Sequence, residues 1–110
     1  MKNPGYMYVV RFWIAPEARE QIMEWLTGGH IRDVVGYPGF LWCRSMDLGE
    51  RDDKGWHAFA MIYGIESEER FRAYQTDKLL QQRFVEQRKD FAHQLRIDRF
   101  AGQVILSEDS

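Results

Sequence analysis

The run "YMYVVRFWI", residues 6–14, is β-branched and aromatic and reads as a strand. Val9 and Trp13 stand on one parity, and Tyr8, Val10 and Phe12 on the other. A strand that faces water on one side alternates apolar with polar, so this one needs cover on both faces. The run "WHAFAMIYGI", residues 56–65, has the same character, with Trp56 and Ile62 against Phe59 and Met61. Any fold for this chain must hide both sides of its sheet.

The remaining segments narrow the choice. Ala15-Pro16-Glu17 opens a helix: proline suits the first turn, Glu17 and Glu20 suit the positive end of the dipole, and Ala18, Ile22, Trp25 and Leu26 share one face. The spacing predicts that this helix stops at Gly28-Gly29 on a left-handed terminator, and that two further turns, 30–36, end at Pro38-Gly39. A second strand covers 40–48. The polar, glycine-bounded stretch 49–55 reads as a hairpin loop to the third strand, 56–65. Ser67-Glu68-Glu69 marks a helix start, with a second capping point at Thr76-Asp77. Leu80, Phe84, Arg88 and Phe91 recur at helical spacing to about residue 93. A last strand, 95–106, leads into a polar tail at 106–110. The order β-α-β-β-α-β predicts an α+β, ferredoxin-like domain spanning 1–110, with a four-stranded antiparallel sheet and both helices on one face. The open face is then expected to be covered by a second copy of the chain, giving a homodimer through the sheet.

Composition excludes several partners. Lysine and arginine number 15 against 17 acids, a formal charge of -2, which gives no basic field for a phosphate backbone, so nucleic acid is not expected. No apolar run reaches the roughly 20 residues that span a bilayer, and "MKNPGYMY" lacks a signal-peptide core, so the reading is no membrane and a cytoplasmic location. Cys43 is the only cysteine and reads as a small buried apolar group. His30, His57 and His93 show no ligand spacing, so no metal is expected.

A first strand ending in "FWIAPEA", then a helix, then "PGF" opening strand two and "YGIESEERFRAY" leading into the second helical region, resembles the dimeric α+β barrel superfamily. That group includes antibiotic-biosynthesis monooxygenases, haem-degrading monooxygenases, muconolactone isomerases and polyketide cyclases. The "EWL…HI…PGF" run looks most like an uncharacterised branch. The haem-degrading members' functional positions would fall near Val10, Ile65 and Arg83, and none of the three matches, which disfavours haem. The resemblance implies a ligand cleft between sheet and helices, lined by Tyr8, Val10, Phe12, Phe59, Met61 and Tyr63, with Val9, Arg11 and Trp13 on the dimer face.

His30 is the sharpest chemical candidate, because it stands at a helix break beside two glycines, where an imidazole could act as general acid or base. Its rival role is structural, capping local backbone or pointing to water. Tyr63 and Tyr8 bring phenols that would orient an oxygen of a flat ligand, or else serve an aromatic core. His57, at the hairpin end, would join the ligand site or remain a strand-end residue. Arg11 needs a carboxylate, supplied by Asp98 or Asp47. The reading is a cofactor-independent enzyme that moves protons on an aromatic or polyketide-like molecule (isomerase, cyclase or monooxygenase type), with His30 and Tyr63 catalytic. The alternative is a non-catalytic ligand-binding or structural homodimer.

Overall fold

The computed structural model describes residues 3–110. The elements are β1 (Tyr6–Ile14), a 3-10 turn (Pro16–Ala18), α1 (Arg19–Trp25), a wide π turn (Leu26–His30), α2 (Ile31–Val35), β2 (Phe40–Arg51), β3 (His57–Ile65), α3 (Glu68–Gln75), α4 (Lys78–Arg88), a 3-10 stretch (Lys89–Gln94) and β4 (Leu95–Gln103). All strand pairings are antiparallel and the order is β2-β3-β1-β4, an α+β ferredoxin-like fold.

The register fixes which side chains share a face. Tyr8, Val10 and Phe12 lie opposite Tyr63, Met61 and Phe59 on β3 and opposite Ala101, Arg99 and Ile97 on β4. These rows meet Ile22 and Leu26 of the first helical region, Val34 of α2, Phe71 and Tyr74 of α3, and Phe84 of α4 in one buried core. The parity of β1 and β3 inferred from sequence is therefore the one adopted. Val9, Arg11 and Trp13 occupy the other face, where Arg11 donates to Asp98 at 2.9 Å.

Several boundaries differ from the sequence reading, each for a local reason. The helix does not stop at Gly28-Gly29. Gly29 takes φ 164°, extended rather than left-handed, and the chain widens into a π turn in which the Ile31 N–H donates to the Leu26 carbonyl before α2 continues. Strand β2 runs on through the supposed loop to Arg51, with Gly49 in the left-handed region (φ 67°) at an irregularity between Asp47 and Arg51. A charged, exposed edge strand has the composition of a loop. The actual turn is held by Asp52, whose Oδ1 accepts from the N–H groups of Lys54 and Trp56 at 2.9 Å each, so β3 starts at His57. The second helical region is two helices, because Asp77 caps α4 by accepting from the Leu80 N–H. Strand β4 ends at Gln103, the residue paired with the first residue of β1. Beyond it Ile105 and Leu106 are exposed.

Candidate functional site

Two connected recesses lie between the helices and the β1/β4 half of the sheet. The outer has a volume of about 550 Å³ and is walled by Tyr6, Tyr8, Phe71, Tyr74, Arg88 and Arg99 among others. The inner is a chamber of about 30 Å³, bounded by Val10, Phe12, His30, Tyr63 and Phe84. Tyr8, Tyr74, Gln81, Arg88 and Arg99 belong to both and form the passage between them. The outer volume suits a drug-sized molecule, and the inner suits about one water.

The wide turn places His30. Residues five apart diverge on a regular α-helix, whereas i to i+5 spacing is the repeat of a π turn. The His30 ring consequently stacks on Trp25 at 4.2 Å and meets Phe84 edge-on at 4.6 Å. Trp25 is tied to α4 by a hydrogen bond from its Nε1 to Gln87 Oε1 at 3.3 Å. His30 Nδ1 is buried without a hydrogen-bond partner. Burial, then the positive charges of Arg88 and Arg99, lower the imidazole pKa to about 4, so the ring is neutral at pH 7. A neutral imidazole is a free proton acceptor there, and it becomes a strong acid once protonated.

The phenols around it hold their protons. Burial drives Tyr63 far above its ordinary value, with Cys43 and the neighbouring tyrosines adding to the effect. Tyr74 is pushed up to about 12 by burial, and Tyr8 is also raised by burial although Arg99 beside it pulls it back. These three groups are hydrogen-bond donors at neutral pH and not bases.

Of the residues singled out from sequence, His30, Tyr63, Tyr8, Val10 and Phe12 come together at the inner chamber. Phe59 and Met61 lie on the same face further along β3 and border a separate apolar recess with Met23 and Leu26. His57 is apart from the chamber: its Nε2 meets Asp47 Oδ1 at 2.6 Å and its ring stacks on Phe59. Arg88 and Arg99 were not singled out as site residues. Their signal was present, since Arg88 occupies an inward position in the series Leu80, Phe84, Phe91, and Arg99 shares parity with Leu95 and Ile97. Among the described residues no group of three or more His, Cys, Asp or Glu side chains is gathered to hold a metal. None of the described helices is long and apolar enough to cross a membrane.

A family model described as "Domain of unknown function (DUF4286)" matches residues 5–105. The chain belongs to that family. No curated protein matches the sequence significantly. Solved structures resemble this DUF4286 chain over nearly its full length. A dimeric ferredoxin-like protein from an uncultured marine organism superposes with a TM-score of 0.72 at 11% identity, covering 98% of this chain and 94% of the other. A monooxygenase from the gene ActVA-Orf6 of Streptomyces coelicolor, in complex with the ligand nanaomycin D, gives 0.59 at 19% identity, with 96% and 94% covered. SnoaB, a cofactor-independent oxygenase from Streptomyces nogalater, gives 0.58 at 17%, with 93% and 94% covered. At these identities the likeness is one of fold, the fold of antibiotic-biosynthesis monooxygenases and dimeric ferredoxin-like proteins, and DUF4286 chemistry has to be argued from the site.

Proposed function

We propose that this protein is a small enzyme that binds a flat aromatic or polyketide-like molecule in the outer recess and moves a proton on it. The observation that carries the reading is the neutral His30 lining a small chamber that shares Tyr8, Tyr74, Gln81, Arg88 and Arg99 with a ligand-sized recess. His30 takes a proton from the substrate, directly or through one water in the chamber, and returns it to a second position. The net reaction is an isomerisation and needs no co-reactant. Tyr63 and Tyr8, which keep their protons, donate to the oxygen on which negative charge develops. The fold shared with the two Streptomyces enzymes supports this general kind of activity.

The protein is also proposed to work as a homodimer joined through the sheet face that carries no helix. That face bears Val9 and Trp13 of β1 and Phe100 of β4, and Phe100 is 58% exposed.

One observation favours a second reading, a non-catalytic binder. The inner chamber is too small to admit a ring, so a ligand in the outer recess reaches His30 only if the walls give or a water relays. One experiment separates the two. Native mass spectrometry against aromatic and polyketide metabolites identifies a retained compound, which is then incubated with the protein in deuterated water. The enzyme reading expects deuterium in the compound with the wild type and none with His30→Ala, which still retains it. Retention without exchange by the wild type selects the binder.

A further inference from the structure

Among the described residues, four of the eleven arginines lie within salt-bridge distance of a carboxylate. Arg11 has Asp98 at 2.9 Å, Arg96 has Asp52 at 3.2 Å, Arg72 has Glu68 at 3.5 Å and Arg70 has Glu66 at 3.8 Å. Among the described residues, neither Arg88 nor Arg99 lies within salt-bridge distance of an acid. These two come from different elements, the last residue of α4 and the middle of β4, yet both line the outer recess and the inner chamber. Arg88 is half-buried, and its charge is disfavoured first by that burial and then by Arg99. Two guanidiniums that line one recess, Arg88 half-buried and Arg99 exposed, repel each other and gain from an anion placed between them.

We propose that Arg88 and Arg99 together grip the carboxylate of an aromatic acid bound in the outer recess. The inference rests on the reading of this cleft as a ligand site and names the class of ligand. The guanidinium fork matches a carboxylate in bidentate fashion. Tyr8 and Tyr74 stand beside the two arginines as protonated donors, and Tyr6 and Phe71 supply aromatic walls for the ring. A singly charged carboxylate fits better than a doubly charged phosphate, because Arg88 ends α4 and the carbonyl end of a helix opposes concentrated negative charge. The bound acid also offsets the two positive charges that add to burial in keeping His30 neutral, so binding makes the imidazole a better proton acceptor next to its own substrate.

Calorimetric titration with 3-hydroxy-2-naphthoate and with 2-naphthol, which lacks the carboxylate, tests this, with chemical-shift mapping of the Tyr8 and Tyr74 signals locating the site. The naphthoate is expected to bind at least tenfold more tightly. Arg88→Gln and Arg99→Gln should each weaken it about tenfold while leaving 2-naphthol unchanged, and Arg83→Gln on the exposed side of α4 should change neither. The ligand-free variants should melt no lower than the wild type, since each removes one of two like charges. A lower midpoint would mark the guanidinium as structural and overturn the proposal. Equal binding of both probes at Tyr8 and Tyr74 would overturn it and leave the cleft reading standing. If neither probe binds or shifts those signals, both fail. Displacement of the naphthoate by inorganic phosphate at lower concentration than by benzoate would also overturn it.

Discussion

Trp25 and His30 lie face to face at 4.2 Å with an interplanar angle of 26°, although they stand five positions apart in one helical segment. The stack exists because the Gly28-Gly29 pair lets the helix widen by one residue instead of ending. The glycines thus answer for the position of His30, and Trp25, Phe84 and the two arginines answer for its charge state.

Acid should destabilise the protein through His30. Its folded pKa is depressed to about 4 from an ordinary 6.5, so the unfolded chain binds more protons between those values. Stability therefore falls as pH drops from about 6.5 to 4, by about 3 kcal/mol from this group. Burial opposes protonation most, Arg88 on α4 and Arg99 on β4 add to it, and Glu24 and Asp33 line the recess on the outer side of the ring. Urea unfolding at pH 7, 5.5 and 4 should show a smaller acid loss for His30→Gln than for the wild type. An NMR titration midpoint near 6.5 for the His30 ring would contradict the electrostatic account.

Alkali should act through the phenols with the opposite sign. Tyr63, Tyr74 and Tyr8 have raised pKa values, so the folded protein holds protons that the unfolded chain releases above about pH 10. Stability is kept below that pH and lost as it rises further. Phenolate absorbance followed with circular dichroism should show part of the tyrosine signal appearing together with unfolding. Smooth ionisation of all five tyrosines in a protein that stays folded would show that the cleft is wet.

The two arginines explain how much of the site was legible. Strands β1 and β3 announce their parity because large apolar residues fix it, and so Tyr8, Val10, Phe12 and Tyr63 were placed correctly beside one another. Strand β4, "LRIDRFAGQ", mixes charges on both parities and has an edge open to water, so the parity that Arg99 shares with Leu95 and Ile97 is a weak signal that it turns toward the helices while Asp98 turns to Arg11. Arg88 falls at the inward spacing of Leu80, Phe84 and Phe91, but its place at the helix end also suits an ordinary solvated cation until α4 is docked. The argument applied to Arg11, that a guanidinium in an apolar row needs an anion, holds for Arg88 as well. It leads there to no carboxylate of the chain.

Gly39 is a further position where one methyl group should matter. Its φ of 93° is left-handed, and a Cβ there would stand 2.5 Å from Cβ and Cγ of Arg70, at the start of α3. The Gly39 carbonyl also accepts from the Glu66 N–H at 2.8 Å, which ties the entry of β2 to the end of β3. Gly39→Ala should cost about 2 kcal/mol, part from the backbone and part from the displaced Arg70 stem. Thermal unfolding reads this directly, and an unchanged midpoint would mean that the turn adopts another conformation at no cost.

The sheet face without helices supplies the last prediction. Phe100 pairs with Val9 across β1 and β4, and Trp13 lies further along β1 between Arg11 and Arg96, whose guanidiniums sit 4.6 and 3.8 Å from its ring. Arginines stacked on tryptophan keep an apolar face soluble in the single chain and can turn their forks to acceptors on a partner. Sedimentation should give twice the 13.1 kDa chain mass. Phe100→Glu places a desolvated charge in the middle of that contact, which costs several kcal/mol when buried without a partner, and should yield a folded monomer. A dimer that survives Phe100→Glu would put the contact elsewhere on the molecule, and a monomeric wild type would leave Phe100 facing water.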